Sequence, residues 1–121
     1  MMDWLPNVAL ALLTLLGLQS PESERRYHAI DGDTFQAGME IIRISNIDAP
    51  EIKSCAHDKA MEAKRLAQTM LDRHVVTISR QGKDQYGRTL AAVAVDGADL
   101  GDWLVASGVA RRWTGTRKPW C

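Results

Sequence analysis

The chain has 121 residues, 45% of them hydrophobic, and a formal net charge of zero at pH 7. These residues suffice for one domain with a modest core and are too few for a multidomain enzyme. A net charge of zero excludes recognition of nucleic acid by bulk positive charge, so any such recognition must come from local groups. The two cysteines lie outside any Cys/His cluster of the kind that holds zinc.

The N-terminal stretch is mostly apolar, and its densest part runs from Val8 to Leu18. This length suits the hydrophobic region of a signal peptide and is short for a membrane span. The flanks fit less well, because the first seven residues contain Asp3 and no Lys or Arg. We predict that residues 1–20 are a signal-peptide-like or anchor segment. Export to the periplasm or beyond is favoured over a cytoplasmic chain with an apolar N-terminal helix. Membrane contact is expected only if the segment is not cleaved.

Residues 21–26 are polar and are predicted to be a linker. Alternating apolar residues then predict three strands, at residues 27–30, 34–36 and 40–47, with Gly38 in a tight hairpin turn. In the third strand, Ile42 and Ile44 alternate with Arg43, which predicts a half-buried strand. Pro50 cannot donate a backbone hydrogen bond, so the strand must end before it.

Helical spacing of apolar residues predicts a helix over residues 57–73. A strand is predicted over residues 74–80, a glycine-punctuated polar loop over 81–88 and another strand over 90–95. A second helix is predicted over residues 100–107, with Asp99 as its N-cap and Gly108 just beyond its C-terminus. The pattern indicates a mainly β domain with two packed helices, such as a five-stranded OB-fold barrel. A basic tail, residues 114–121, follows the domain at residues 27–113.

Acidic residues stand at two turns, in Asp31-Gly32-Asp33-Thr34 and in Asp48-Ala49-Pro50-Glu51. Each turn alone is explained by the turn preferences of Asp, Gly and Pro. Carboxylates that converge repel one another unless a cation lies between them, and oxygen ligands suit Ca²⁺ or Mg²⁺. Because Arg43 and Arg88 accompany the two turns, the sequence favours a site for phosphodiester chemistry. Taken singly, each arginine is also typical of a solvated or salt-bridged residue.

Cys55 follows the second acidic turn, and Cys121 is the last residue of the sequence. A bridge between them would close a loop of nearly the whole domain, worth roughly 4 kcal/mol in the chain-entropy model. The alternative is two unpaired thiols in a reducing compartment. A Cys55–Cys121 disulfide is therefore a prediction that depends on export.

Five motifs in order resemble the thermonuclease family, the staphylococcal-nuclease-like OB-folds. They are Ile30-Asp31-Gly32-Asp33-Thr34, Ile42-Arg43-Ile44, Ile47-Asp48-Ala49-Pro50-Glu51, Asp84-Gln85-Tyr86-Gly87-Arg88-Thr89-Leu90-Ala91 and Gly108-Val109-Ala110. The resemblance implies a Ca²⁺-dependent phosphodiesterase that acts on DNA or RNA and leaves 3′-phosphate ends. It also implies a monomer without a stable protein partner.

The resemblance assigns a role to each matching position. Asp33, Asp48 and the backbone carbonyl of Ala49 correspond to the calcium ligands, and Asp31 to a supporting carboxylate. Glu51 corresponds to the residue that takes or orients the proton of the attacking water. Arg43 and Arg88 correspond to the arginines that bind the phosphate, and Tyr86 to a tyrosine near it.

Two departures from the family pattern bear on the substrate. Gln85 stands where the family usually has a lysine, and Lys83 is a candidate substitute for that phosphate contact. The loop over residues 52–58 is short compared with the best-known members. The alternative function is a non-catalytic OB-fold module that binds nucleic acid or a protein, although no expected carboxylate or arginine is missing.

Overall fold

The computed structural model describes residues 26–121. The predicted N-terminal segment, and the predicted linker up to residue 25, lie outside the described residues. Within these residues the chain forms eight strands and two helices: β1 (Tyr27–Asp31), β2 (Thr34–Ala37), β3 (Glu40–Ile44), β4 (Ile47–Asp48), α1 (His57–Arg73), β5 (Val76–Lys83), β6 (Thr89–Val95), β7 (Ala98–Asp99), α2 (Leu100–Ala106) and β8 (Arg111–Arg112).

The main sheet has the strand order β1-β2-β3-β6-β5, with β7 paired to β6. All its pairs are antiparallel except β3 with β6, which run parallel, with Arg43 opposite Leu90. A parallel pair requires a long crossover, which α1 and β5 provide here. The predicted class, mainly β with two helices, is confirmed. The closed barrel stays a prediction.

One hydrophobic core joins the sheet to both helices. Alternate residues of β6 are buried, so the strand turns one face inward, as a period of two requires. The core consists of aliphatic residues, small alanines and one phenylalanine: Phe35, Ile42, Ile44, Ile47, Ala49, Ala63, Ala67, Leu71, Ala91, Val93, Val95, Leu100, Leu104, Val109 and Ala110.

The predicted third strand, residues 40–47, is wrong at its end. β3 stops at Ile44, and the chain turns at Ser45 and Asn46 before β4 begins. Asparagine favours such a turn, and its backbone oxygen accepts a hydrogen bond from the N–H of Trp113 at 3.0 Å. β4 then pairs with β8 in a separate two-stranded sheet. The second acidic turn therefore leaves from β4 and not from the main sheet.

The polar loop also differs from the prediction. β5 continues to Lys83, so residues 81–83 are strand and only 84–88 form the connection to β6. The register between the two strands shifts between Arg80 and Gly82. Gly82 has a φ of 140°, which admits the irregularity at little steric cost. The predicted strand end at residue 80 was wrong because such a bulge interrupts the alternation.

Both helices have the predicted positions. α1 turns Ala60, Ala63, Ala67 and Leu71 into the core. α2 begins after Asp99, whose side chain accepts a hydrogen bond from the N–H of Asp102 at 2.8 Å. Gly108 has a φ of 81°, the left-handed conformation expected just beyond a helix C-terminus. Among residues 26–121, neither helix has the length and hydropathy needed to cross a membrane.

Gly32 sets how closely α1 approaches the first acidic turn. A Cβ atom at this position would lie 2.7 Å from the Cβ of Ala63 and 3.0 Å from that of Ala49. Both neighbours belong to the packed core, so neither can move freely. The absence of a side chain at position 32 therefore lets the helix, the Asp31–Thr34 turn and the chain after β4 meet.

We expect Gly32→Ala to destabilise the fold by about 1–3 kcal/mol, because added volume in a tight core forces its neighbours apart. Urea unfolding followed by circular dichroism measures the change. Gly97→Ala is the comparison for a glycine with open space around it, since its cost comes from its φ of 85° alone. If Gly32→Ala were as stable as the parent chain, the close packing at this turn would be refuted.

Candidate active site

Asp33 is held in place on both oxygens. Its side chain is 6% exposed. The hydroxyl of Thr34 donates to Oδ1 at 2.9 Å, and the backbone N–H of Ala49 donates to Oδ2 at 2.8 Å. Since Ala49 follows β4, its hydrogen bond to Asp33 joins the two acidic turns. The sequence predicted that the turns converge, and the structure brings them together.

Arg43 is buried, with 8% of its side chain exposed. The predicted half-buried alternation is therefore wrong here, because Ile42, Arg43 and Ile44 are all buried. Nη1 of the guanidinium donates to the backbone oxygens of Ile44 at 2.5 Å and Ile47 at 2.8 Å. The chain reversal between β3 and β4 supplies both acceptors. A cation can be buried at this point because backbone oxygens replace part of its hydration.

The Arg43 guanidinium also lies between two buried carboxylates. Nη2 is 3.6 Å from Oδ2 of Asp33 and 3.9 Å from Oδ1 of Asp48. The ring of Trp113 lies 5.8 Å from the guanidinium carbon, in the range of a cation–π contact. Arg43 thus reduces the repulsion between Asp33 and Asp48 and presents positive charge beside them.

Asp48 is the most buried of the predicted ligands, with 2% of its side chain exposed. Its Oδ2 accepts hydrogen bonds from Arg111, at 2.9 Å and 3.2 Å, and from Nε1 of Trp120 at 3.2 Å. Its Oδ1 is buried and has no hydrogen-bond partner among the described residues. Two guanidinium nitrogens lie 3.8 Å and 3.9 Å from Oδ1, beyond hydrogen-bond distance, so a closer cation would compensate the burial of this oxygen better.

The residues of this cluster offer the oxygen ligands that calcium prefers. Asp33 and Asp48 offer carboxylate oxygens, and the free Oδ1 of Asp48 is the atom that a hard cation would satisfy. Within residues 26–121, no three His, Cys, Asp or Glu side chains are grouped as a metal site. A calcium ion here would therefore also need backbone and solvent oxygens, such as the predicted carbonyl of Ala49.

Glu51 lies at the open side of this cluster. Its side chain is 58% exposed, and Oε2 is 2.8 Å from Nη2 of Arg117. The same arginine nitrogen is 3.8 Å from Oδ1 of Asp48. Two half-exposed side chains form a weak ion pair, so Glu51 remains accessible to water and to ligands.

Asp31 is the fourth carboxylate of the cluster. Oδ1 accepts a hydrogen bond from the N–H of Ile52 at 3.2 Å. Burial raises the pKa of Asp31, and the negative charges of Asp33 and Glu51 raise it further. The neighbouring carboxylates of Asp33 and Glu51 would repel the ionised Asp31 less with a cation bound between them.

The loop residues are not brought into the cluster. Arg88 pairs with Asp84, Nε to Oδ2 at 2.7 Å, and its guanidinium carbon lies 5.3 Å from the ring of Tyr86. Partial burial alone would raise the pKa of Asp84, but hydrogen bonds from Arg88 and from the N–H groups of Tyr86 and Arg88 lower it. Tyr86 is 73% exposed, and Lys83 is exposed at the end of β5.

Residues from the C-terminal part of the chain complete the cluster. Cys55 and Cys121 form a disulfide, with their Cα atoms 6.3 Å apart. Residues 114–121, which we call the C-terminal strap, thereby return to the acidic turns. Arg117 and Trp120 of the strap, together with Arg111, contact the site carboxylates. None of the three was predicted as a site residue, and for Arg117 the only sign in the sequence was the basic character of residues 114–121.

The family model described as Staphylococcal nuclease homologue matches residues 41–119. The chain therefore belongs to the staphylococcal nuclease family, as its motifs indicated. The match begins at the second residue of β3 and covers both helices and most of the strap.

The chain is also similar to the SPbeta prophage-derived endonuclease YokF of Bacillus subtilis (strain 168). The two are 30% identical over 93 residues, which cover 69% of this chain and 31% of the relative. The chain thus matches about a third of the length of that endonuclease.

Proposed function

We propose that this chain is a Ca²⁺-dependent phosphodiesterase that hydrolyses DNA or RNA and leaves 3′-phosphate ends. The observation that carries the proposal is a buried arginine, Arg43, held beside the carboxylates of Asp33 and Asp48 in a chain of a nuclease family. A cation site next to a fixed guanidinium suits a phosphodiester, whose non-bridging oxygens carry the negative charge.

Asp33, Asp48 and the carbonyl of Ala49 would hold the calcium ion, with Asp31 as a supporting carboxylate. Bound calcium would supply Lewis-acid chemistry at a phosphate oxygen. The Thr34 and Ala49 hydrogen bonds keep Asp33 in one orientation, and Arg43 sets the spacing of the two aspartates. Orientation of this kind is established before substrate binds, so it does not have to be created during the reaction.

Glu51 accepts the proton of the attacking water in the proposed reaction. The water oxygen forms a bond to phosphorus, and the P–O5′ bond breaks. The 5′-oxygen takes up a proton from solvent, and the fragment on the 3′ side of the broken bond leaves with a 5′-hydroxyl end. For this step the exposed contact between Glu51 and Arg117 must open, which costs little at a solvated pair.

Arg43 stabilises the charge that develops on the phosphate oxygens, since its Nη1 is already fixed by two backbone oxygens. Arg88 is proposed as the second phosphate-binding arginine. Tyr86 and Lys83 are proposed as further contacts to the substrate. In the described structure Arg88 pairs with Asp84. Substrate phosphate must therefore compete with Asp84 for this guanidinium.

Export of the chain is proposed on the basis of the disulfide. Disulfides persist in oxidising compartments, so the Cys55–Cys121 bridge supports export to the periplasm or beyond. The apolar residues 1–20 would then direct export or anchor the chain. The substrate would be nucleic acid outside the cytoplasm.

Hydrolysis in H₂¹⁸O tests the proposed bond cleavage. The full chain is incubated with single-stranded DNA and Ca²⁺, and the fragments are analysed by mass spectrometry. We expect ¹⁸O in a 3′-phosphate and none in the 5′-hydroxyl, because water attacks phosphorus and O5′ leaves. Fragments that carry 5′-phosphates would contradict the proposed reaction.

A further inference from the structure

Arg111 and Asp48 face each other across the short β4–β8 sheet. The register pairs Asp48 with Arg111 directly, and Ile47 with Arg112. Directly opposed residues of an antiparallel pair place their side chains on the same face. The pairing of β4 with β8 therefore places the side chain of Arg111 beside that of Asp48.

Three donors converge on a single oxygen of Asp48. Nε and Nη2 of Arg111 lie 3.2 Å and 2.9 Å from Oδ2, and Nε1 of Trp120 lies 3.2 Å from it. The other oxygen, Oδ1, is buried and accepts no hydrogen bond from the described residues. Nη2 of Arg43 and Nη2 of Arg117 approach Oδ1 only to 3.9 Å and 3.8 Å, so with Oδ2 held in this way Oδ1 remains available to a closer partner.

Arg111 is held in turn by the C-terminal strap. Its Nη1 donates to the backbone oxygen of Pro119 at 3.2 Å, and its Nη2 donates to that of Lys118. Its guanidinium carbon lies 4.0 Å from the centre of the Trp120 ring, a close cation–π contact. Residues 114–121 have no helix or strand of their own, so these contacts and the Cys55–Cys121 disulfide determine their position.

We infer that the disulfide-held strap is a positioning element of the cation site. Arg111 and Trp120 fix Asp48 through Oδ2 so that Oδ1 faces the cation, and the Cys55–Cys121 bridge keeps Trp120 and the strap carbonyls in place. The inference rests on the proposed function, in which Asp48 is a calcium ligand. Groups that orient metal ligands contribute to metal affinity although they do not touch the metal.

An opposite role for the strap, as a cover that inhibits the enzyme, would depend on Arg117. The side chain of Arg117 is 47% exposed, and that of its partner Glu51 is 58% exposed. Such a pair is readily displaced by a cation or a phosphate. Nη2 of Arg117 also lies 3.8 Å from Oδ1 of Asp48, which is too far for a hydrogen bond. Arg111 and Trp120 instead donate to Oδ2 at 2.9–3.2 Å, and the side chain of Asp48 is only 2% exposed. The buried contacts therefore favour positioning over inhibition.

Calcium affinity of the full chain, measured by isothermal titration calorimetry, tests the inference. Trp120→Phe keeps an aromatic ring beside Arg111 but removes the N–H donor. Arg111→Lys keeps the positive charge but removes the planar guanidinium that donates two hydrogen bonds to Oδ2. A Cys55→Ser/Cys121→Ser double variant releases the strap. We expect each change to weaken Ca²⁺ binding by about ten- to a hundredfold.

Arg112→Lys is the matched control, because Arg112 is the neighbour of Arg111 on β8 and pairs only with exposed Asp102 among the described residues.

A second readout separates positioning from a general loss of stability. In the Trp120→Phe variant, half-maximal cleavage should require more Ca²⁺, while the KM for DNA at saturating Ca²⁺ stays that of the parent chain. Unchanged Ca²⁺ affinity in both Trp120→Phe and Arg111→Lys would overturn the inference and leave the nuclease proposal intact. Faster cleavage after release of the strap would also overturn it, since that result means inhibition.

The two proposals fail in distinguishable ways. If the parent chain binds Ca²⁺ and the variants bind it more weakly, but none cleaves DNA, the nuclease proposal fails and the positioning role stands. If the folded parent chain binds no Ca²⁺, the positioning role is overturned because Asp48 is then no calcium ligand.

Discussion

Replacing Glu51 with Gln is expected to lower the rate of DNA cleavage by about 10²–10⁴-fold, the usual contribution of a general base. The amide cannot accept the proton of the attacking water. The fold should be unaffected, because the side chain is 58% exposed and its ion pair with Arg117 is solvated. Single-turnover cleavage at saturating Ca²⁺ measures the chemical step without a contribution from substrate binding.

Glu62→Gln is the control for this variant. It makes the same chemical change at an exposed position of α1, outside the acidic cluster, and its rate should equal that of the parent chain. Calcium affinity should change little in Glu51→Gln, since Glu51 is not a proposed ligand. If Glu51→Gln retained the parental activity, Glu51 would not be the general base. Asp31 would then be the nearby carboxylate to test in that role.

Arg43→Ala is expected to affect stability and catalysis together. Removal of the guanidinium leaves Asp33 and Asp48 buried without their cation, and such a loss typically costs about 3–5 kcal/mol. It also removes the group proposed to stabilise the phosphate oxygens, an effect of about 10²–10³-fold on the rate. Urea unfolding in EGTA, and cleavage under conditions in which the variant is folded, measure the two effects separately.

Calcium should restore part of the stability of Arg43→Ala, because the bound ion would supply the missing positive charge to the same carboxylates. It should not restore the rate. Arg80→Ala provides the comparison, since its ion pair with Glu40 is solvated and its loss should cost much less stability. If Arg43→Ala were no less stable than Arg80→Ala, the charge balance described for the site would be wrong.

Periodicity was sufficient to predict the main elements. The apolar spacing in α1 and the capping residues of α2 predicted both helices, because local contacts and backbone hydrogen bonds determine where such helices begin and end. The motifs predicted the family, and the two acidic turns do meet. Those predictions depend on residues close in sequence or on a pattern that the whole family shares.

Other features depend on contacts between distant residues, which a pattern of residue types does not contain. The burial of Arg43 depends on backbone oxygens that only the turn after Ile44 provides. The end of β3 depends on β8, which lies more than sixty residues further along the chain. The disulfide was predicted as one of two alternatives. Its consequence was not predicted: β8 and the strap place three donors on one oxygen of Asp48.

Arg88 is where the family pattern and the described structure differ most. The motif places it among the phosphate-binding residues, whereas the structure pairs it with Asp84. Arg88 lies in the five-residue connection between β5 and β6, and it could release Asp84 to bind a phosphate instead. Its role therefore depends on the substrate, which only the sequence pattern implies. The role assigned to Arg88 stays a prediction.

Cleavage of single-stranded DNA as a function of free Ca²⁺ tests the central claim most directly. The full chain is first confirmed as folded by circular dichroism, and the rate is then measured in a series of EGTA-buffered Ca²⁺ concentrations. We expect no cleavage without Ca²⁺, a saturable increase as Ca²⁺ rises, and complete loss when EGTA is restored. A folded chain that cleaves no nucleic acid at any Ca²⁺ concentration, or that cleaves equally well in EGTA, would contradict the account.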